Sequence, residues 1–171
     1  NANSLKYMQI IEPDQTQPTG WKFSNDVTKT AFTGVTNKDE QTTLWMLILN
    51  KDPDATDNTE LNIPEGITAI TDSKIDMALS TIKSSKNANW TVVNNKNTMN
   101  VSKAGVYAFD AEENGYTYKV ATAYVGFGEP YPTLTGAEVT AKKSPTSVDK
   151  TVADDDNVVA IGDIVTYTIE A

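Results

Sequence analysis

Apolar and polar positions change their spacing several times along the chain, and most of the changes predict short strands. LKYMQII, Leu5 to Ile11, has strand character, and EPDQTQPTG, Glu12 to Gly20, supplies turn and loop chemistry behind it. Trp21 and Phe23 then alternate with Lys22, as when one face of a strand packs on a core. Leu44 to Leu49, inside TTLWMLILN, is continuously apolar, so periodicity alone fits a buried sandwich strand or a short helical segment. The turn formers and charges from Lys51 to Thr59 favour the strand.

The spacing changes near Thr71. Thr71 or Asp72 can cap a helix, and Ile75, Leu79 and Ile82 form one apolar stripe at four- and three-residue intervals. A single substantial helix is predicted over Asp72 to Ser84, covering an end or a face of a β core. Trp90 to Val93 is a short apolar strand between polar turns. Gly105 to Phe109 and Tyr116 to Val125 then read as a hairpin around Glu112-Glu113-Asn114-Gly115, with Tyr116, Tyr118, Val120 and Thr122 on one face. Gly126, Gly128, Pro130 and Pro132 end the second strand, and Val139 lies in another before Lys142-Lys143-Ser144-Pro145. The tail reads as strand, Gly162-Asp163 turn, strand, ending with Ile164 to Ile169. Two strands are marginal alone. They are expected either to pack on the first domain or to open a second sandwich.

Composition narrows the chemistry. The formal net charge is -9, and all 14 basic residues are lysine, so the planar guanidinium fork suited to phosphate is missing. Nucleic acid is a poor candidate partner. With 0 His and 0 Cys, a Ser-His-Asp triad, a Cys-His pair, disulfides and the usual zinc sites cannot be built. A Ser-Lys nucleophile or a carboxylate pair remains formally possible, but no spacing singles one out. The chain is therefore expected not to be an enzyme, to carry no cofactor or metal, and to have no membrane insertion in this segment. Its start at Asn1-Ala2-Asn3, without Met, suggests a trimmed or excised piece.

Other features have plain readings. Asp154, Asp155 and Asp156 offer hard oxygen ligands without the alternating loop of an EF-hand, and Asp52, Asp54 and Asp57 are similar, so solvated turns are expected. Gly126 and Gly128 lack the rest of a phosphate loop. Trp21, Trp45 and Trp90 suit core packing better than a glycan or peptide groove, while Tyr131, between prolines, is a candidate surface contact.

Taken in order, KYMQIIEPDQTQPTGW, AGVYAFDAEENGYTYKVATAYV and SVDKTVADDDNVVAIGDIVTYTIEA resemble the N-terminal domain of a sortase-assembled Gram-positive pilin, followed by the opening of its next immunoglobulin-like (Cna B-type) domain. The resemblance implies a mainly β fold, an immunoglobulin-like β-sandwich with one accessory helix. Residues 1–143 would form the N-terminal domain, and residues 144–171 a linker and the opening strands of a truncated second domain. It further implies a structural subunit of a covalently assembled cell-surface pilus, secreted and held at the cell wall. The alternative is a non-polymerising adhesin that binds a host glycoprotein or glycan.

In that family a lysine near the end of the domain attacks the sortase-bound acyl enzyme of the next subunit. Here AEVTAKKSPTSVDK nominates Lys143 first and Lys142 second, although Thr140-Ala141 or Ala141-Lys142 stands where the family has Tyr-Pro. Family members also carry an internal isopeptide bond from a first-strand lysine, which Lys150 in SVDKTV matches, with its partner beyond Ala171. The implied partners are neighbouring pilin subunits, sortase and a host surface ligand.

Overall fold

Between Phe23 and Asp52, where the apolar run of Leu44 to Leu49 points to a strand, the computed structural model has two helices. It describes residues 4–52, 55, 61–93, 98–127, 133–146 and 163–170. Strand β1 (Ser4–Pro13) and the short β2 (Trp21–Phe23) are followed by α1 (Asp26–Thr36), α2 (Glu40–Lys51) and α3 (Asp72–Ser84). Seven strands come next: β3 (Thr91–Val93), β4 (Thr98–Asn100), β5 (Gly105–Glu113), β6 (Tyr116–Tyr118), β7 (Ala121–Val125), β8 (Ala137–Pro145) and β9 (Asp163–Glu170).

The chain divides into two compact units. One takes the end of β1, from Gln9, with β2, the three helices and residues 103–106. Its helices follow from local chemistry. Asn25 accepts a hydrogen bond from the Thr28 backbone N–H at 2.9 Å, and its side chain also takes the Thr28 hydroxyl at 2.9 Å. From that cap, Thr28, Ala31, Phe32 and Thr36 fall on one buried stripe, and Asn37 closes α1 in the left-handed region with φ 53°. Asp39 caps α2 in the same way, accepting from the Thr42 N–H at 3.0 Å. In α2, Thr43, Leu44, Trp45, Leu47 and Leu49 are all buried, so the helix is covered on most of its circumference. Thr71 caps α3, and Ile75, Ala78, Leu79 and Ile82 form its buried stripe.

Packing ties these helices together. Phe23 stacks on Phe32 at 5.4 Å between centroids, and the buried hydroxyls of Thr36 and Thr43 meet at 2.7 Å. Gln41 donates to the Trp21 carbonyl at 3.0 Å and accepts from the Thr19 hydroxyl at 2.6 Å. Asn50 donates to the Ile70 carbonyl at 2.8 Å, fixing the segment that leads into α3.

The second unit comprises the start of β1 with β3, β4, most of β5 and β6 to β9. Its core gathers Leu5, Met99, Tyr107, Phe109, Tyr118, Val125, Val139 and Ile169. In this unit hydrogen-bonded neighbours run β1-β5-β6-β8-β9-β4, with β3 also on β1 and β7 also on β5, while β2 pairs with Ile11 to Pro13 of β1 inside the first unit. β9 pairs antiparallel with β8 over Asp163 to Ile169, and parallel with β4.

This architecture corrects the expected fold class. Among the described residues the structure is a mixed α/β fold with one open, uncurled sheet and three helices. It is not a mainly β, immunoglobulin-like sandwich with one accessory helix. The reason lies in α1 and α2. The apolar run of Leu44 to Leu49 is built from Leu, Met and Trp more than from β-branched residues, and the Asp39 cap with Glu40 in the first turn commits it to a helix. The Asp72–Ser84 helix is present with the predicted bounds, but it has two companions.

Candidate functional site

β8 decides how the two nominated lysines differ. Along this strand Val139 and Ala141 are buried and Glu138, Thr140 and Lys142 are exposed, so side chains alternate between core and solvent. Lys143 continues the core-facing set at its margin, whereas Lys142 stands on the solvent face. An ammonium on the core side needs partners, because desolvation without pairing is costly.

The β5–β6 hairpin supplies them. Gly115 sits in the turn with φ 80°, where a residue without Cβ is favoured. Glu113 then lies directly opposite Tyr116, and Tyr118 on β6 lies opposite Lys143 on β8. Three adjacent strands thus bring four side chains to one place. The Lys143 ammonium is 3.2 Å and 3.5 Å from the two Glu113 carboxylate oxygens and lies 4.3 Å from the Tyr116 ring centroid. The Tyr118 hydroxyl donates to Glu113 at 2.6 Å. The side chains of Lys143 and Glu113 retain only 13% and 11% of their exposure. The Glu113 carboxyl is held down at about 2, with the hydrogen bond from the Tyr118 hydroxyl the largest influence and the Lys143 ammonium a smaller one among the others. Chemically, the cluster fixes a primary ammonium beside an ionised carboxylate.

A second lysine is held in the same unit. Lys6 on β1 is 3.3 Å from the carboxylate of Asp110 on β5, whose side chain is 2% exposed, and 3.7 Å from Glu112. Its ammonium lies 5.4 Å from the Trp90 ring centroid. Neither this constellation nor the partners of Lys143 was anticipated from the sequence. Glu113 and Tyr116 were within reach, since the Asn114-Gly115 turn sets their register, but the pairing of β6 with β8 spans residues too distant to infer.

Lys150, Tyr131, Asp54, Asp57 and Asp154 to Asp156 lie outside the described residues. Asp52 is exposed at the C-terminal end of α2. Trp45 is core, as expected, while Trp21 and Trp90 are half-buried. Among the described residues no group of three or more His, Cys, Asp and Glu could hold a metal ion, and no helix is long and apolar enough to cross a membrane.

The fold and this site define a mixed α/β chain with a structured lysine cluster on an open sheet. No protein-family model, no curated protein and no solved structure compared with the chain matches it. The resemblance to a pilin with a Cna B-type domain is corrected by the fold, because three helices and an open sheet are not the closed sandwich of such domains. The classic pilin architecture of immunoglobulin-like domains falls with it.

Proposed function

We propose that the chain is a non-catalytic structural subunit of a covalently assembled cell-surface pilus, secreted and displayed on the wall of a Gram-positive bacterium. In this reading a sortase-type transpeptidase joins the acyl end of a neighbouring subunit to Lys143, and the catalytic machinery belongs to that enzyme. The observation that carries the reading is the fixed position of the Lys143 amine. It is held by Glu113 at 3.2 Å at the edge of a packed core, where a load-bearing bond would be anchored to the sheet and not to a loose loop. The net charge of -9 suits an exposed, soluble wall protein.

Peptide mapping of wall-released protein by mass spectrometry tests this reading. A branched peptide joining a neighbour's C-terminal residues to Lys143 is the expected result. Full coverage of the region with Lys142 and Lys143 unmodified would end the assembly reading, leaving a non-polymerising adhesin that binds a host glycoprotein or glycan.

A further inference from the structure

We infer that Glu113, held in place by Tyr118, is the positioning residue that makes Lys143 the acceptor in preference to the adjacent Lys142; this rests on the assembly reading above. The two lysines are consecutive and chemically identical, and Lys142 is the more exposed. Selection by accessibility alone would choose Lys142. What distinguishes Lys143 is the cross-strand set of Glu113, Tyr116 and Tyr118, which confines its amine to one location. A confined nucleophile gains from orientation, since less freedom is lost on reaching the attacking geometry.

The same carboxylate has a role as the bond forms. The Lys143 nitrogen bonds to the acyl carbon, and the bond from that carbon to the enzyme's nucleophile breaks. In going from ammonium to amide the nitrogen gives up two protons. One goes to the departing enzyme nucleophile, and the other passes to Glu113 and on to water. Glu113 is a weak base while the ammonium faces it. The Tyr118 hydrogen bond, the largest influence favouring its ionised form, persists through the step, so the carboxylate passes the proton on and does not keep it.

The test compares wall material from cells displaying the full chain as wild type, Glu113→Gln, Glu113→Asp and Tyr118→Phe. Isotope-labelled reference peptides quantify branching at Lys143 against Lys142. This ratio is internal to each folded molecule, so a change in expression or stability alone does not move it. Glu113→Gln is expected to lower the ratio at least about 10-fold, with partial recovery in Glu113→Asp. Tyr118→Phe, which leaves the carboxylate in place and removes its anchor, is expected to lower it several-fold. An unchanged ratio in Glu113→Gln overturns the inference while the assembly reading stands. If Glu113→Gln does not reach the surface, Tyr118→Phe decides on the same criterion. Wild-type branching at Lys142 alone also overturns the inference, and no branching at either lysine removes the assembly reading beneath it.

Discussion

Gly105 opens β5 at φ 142°, a backbone conformation that side-chain-bearing residues rarely adopt. A Cβ added there would fall well inside contact distance of the Ile11 carbonyl oxygen on β1 and 2.6 Å from Gln9 Nε2. Neither obstacle yields easily. The carbonyl is backbone, and the Gln9 amide is committed to the Ile11 and Ala104 carbonyls at 3.2 Å and 3.0 Å. Gly105→Ala therefore combines strained φ of about 1–3 kcal/mol with overpacking of about 1–3 kcal/mol. The disturbed Gln9 hydrogen bonds add to this, for a loss on the order of 4 kcal/mol. For a chain of this size that lowers the thermal midpoint by roughly 8–16 °C. Gly34 is the internal control, because it is an exposed helical glycine with nothing within 4 Å of an added Cβ. Gly34→Ala is expected to stabilise by about 1 kcal/mol through helix propensity. Urea and thermal denaturation of both variants, followed by circular dichroism, provide the readout. A Gly105→Ala loss below about 1 kcal/mol would refute the close approach of β5 to β1 at this point.

Two further predictions concern the cap and the carboxylate cluster. Asn25→Ala removes the acceptor for both the Thr28 N–H and its fully buried hydroxyl, and is expected to cost about 2 kcal/mol in thermal denaturation. Asn25→Asp should keep most of that stability, and equal melting of the Ala and Asp variants would contradict the cap. Glu113 has a depressed folded-state value, so the unfolded chain binds its proton first as pH falls. Its contribution is fully present above the unfolded value of 4.5 and is lost as pH drops toward about 2. The stability difference between wild type and Glu113→Gln in denaturant titrations should therefore be constant from pH 7 to about 5 and shrink below that. A difference unchanged down to pH 2.5 would show that the carboxylate is not held in its ionised form. Asp14 and Asp39 are also lowered, by hydrogen bonds from Thr16 and Thr42, and the comparison with Glu113→Gln separates their acid response from that of Glu113.

What could be read in the sequence depended on whether one period stood out. In Asp72–Ser84 the stripe of Ile75, Leu79 and Ile82 is offset by polar residues, and a Thr-Asp cap precedes it, so strand spacing does not compete. In Glu40–Lys51 the apolar residues nearly encircle the helix, and strand and helix spacing fit equally well. The Asp39 cap and Glu40 were the signals that could have decided it. Asp26–Thr36 was hidden by composition. Its several threonines are weak helix formers, and its stripe is partly Thr28 and Thr36, which count as polar although they are buried. The Asn25 cap, the Phe32 and Ala31 positions and Asn37 at the far end marked it nonetheless. For the lysine cluster, only the β5–β6 half was local.

The distinction between Lys142 and Lys143 rests on the register of β8. Side chains along a strand alternate with a period of two, so a shift of one residue would bring Lys142 to Glu113 and turn Lys143 to solvent. Burial of Val139 and Ala141 opposes that shift, because it would place Thr140 and Glu138 in the core and expose the apolar pair. Pairing constrains β8 on both sides, with β6 opposite Lys143 to Pro145 and β9 opposite Ala137 to Lys143. Two small core residues thus fix which of two adjacent amines is held by Glu113 and which stays free for solvent. The chemical identity of the site is determined by the packing of the strand as much as by the lysine itself.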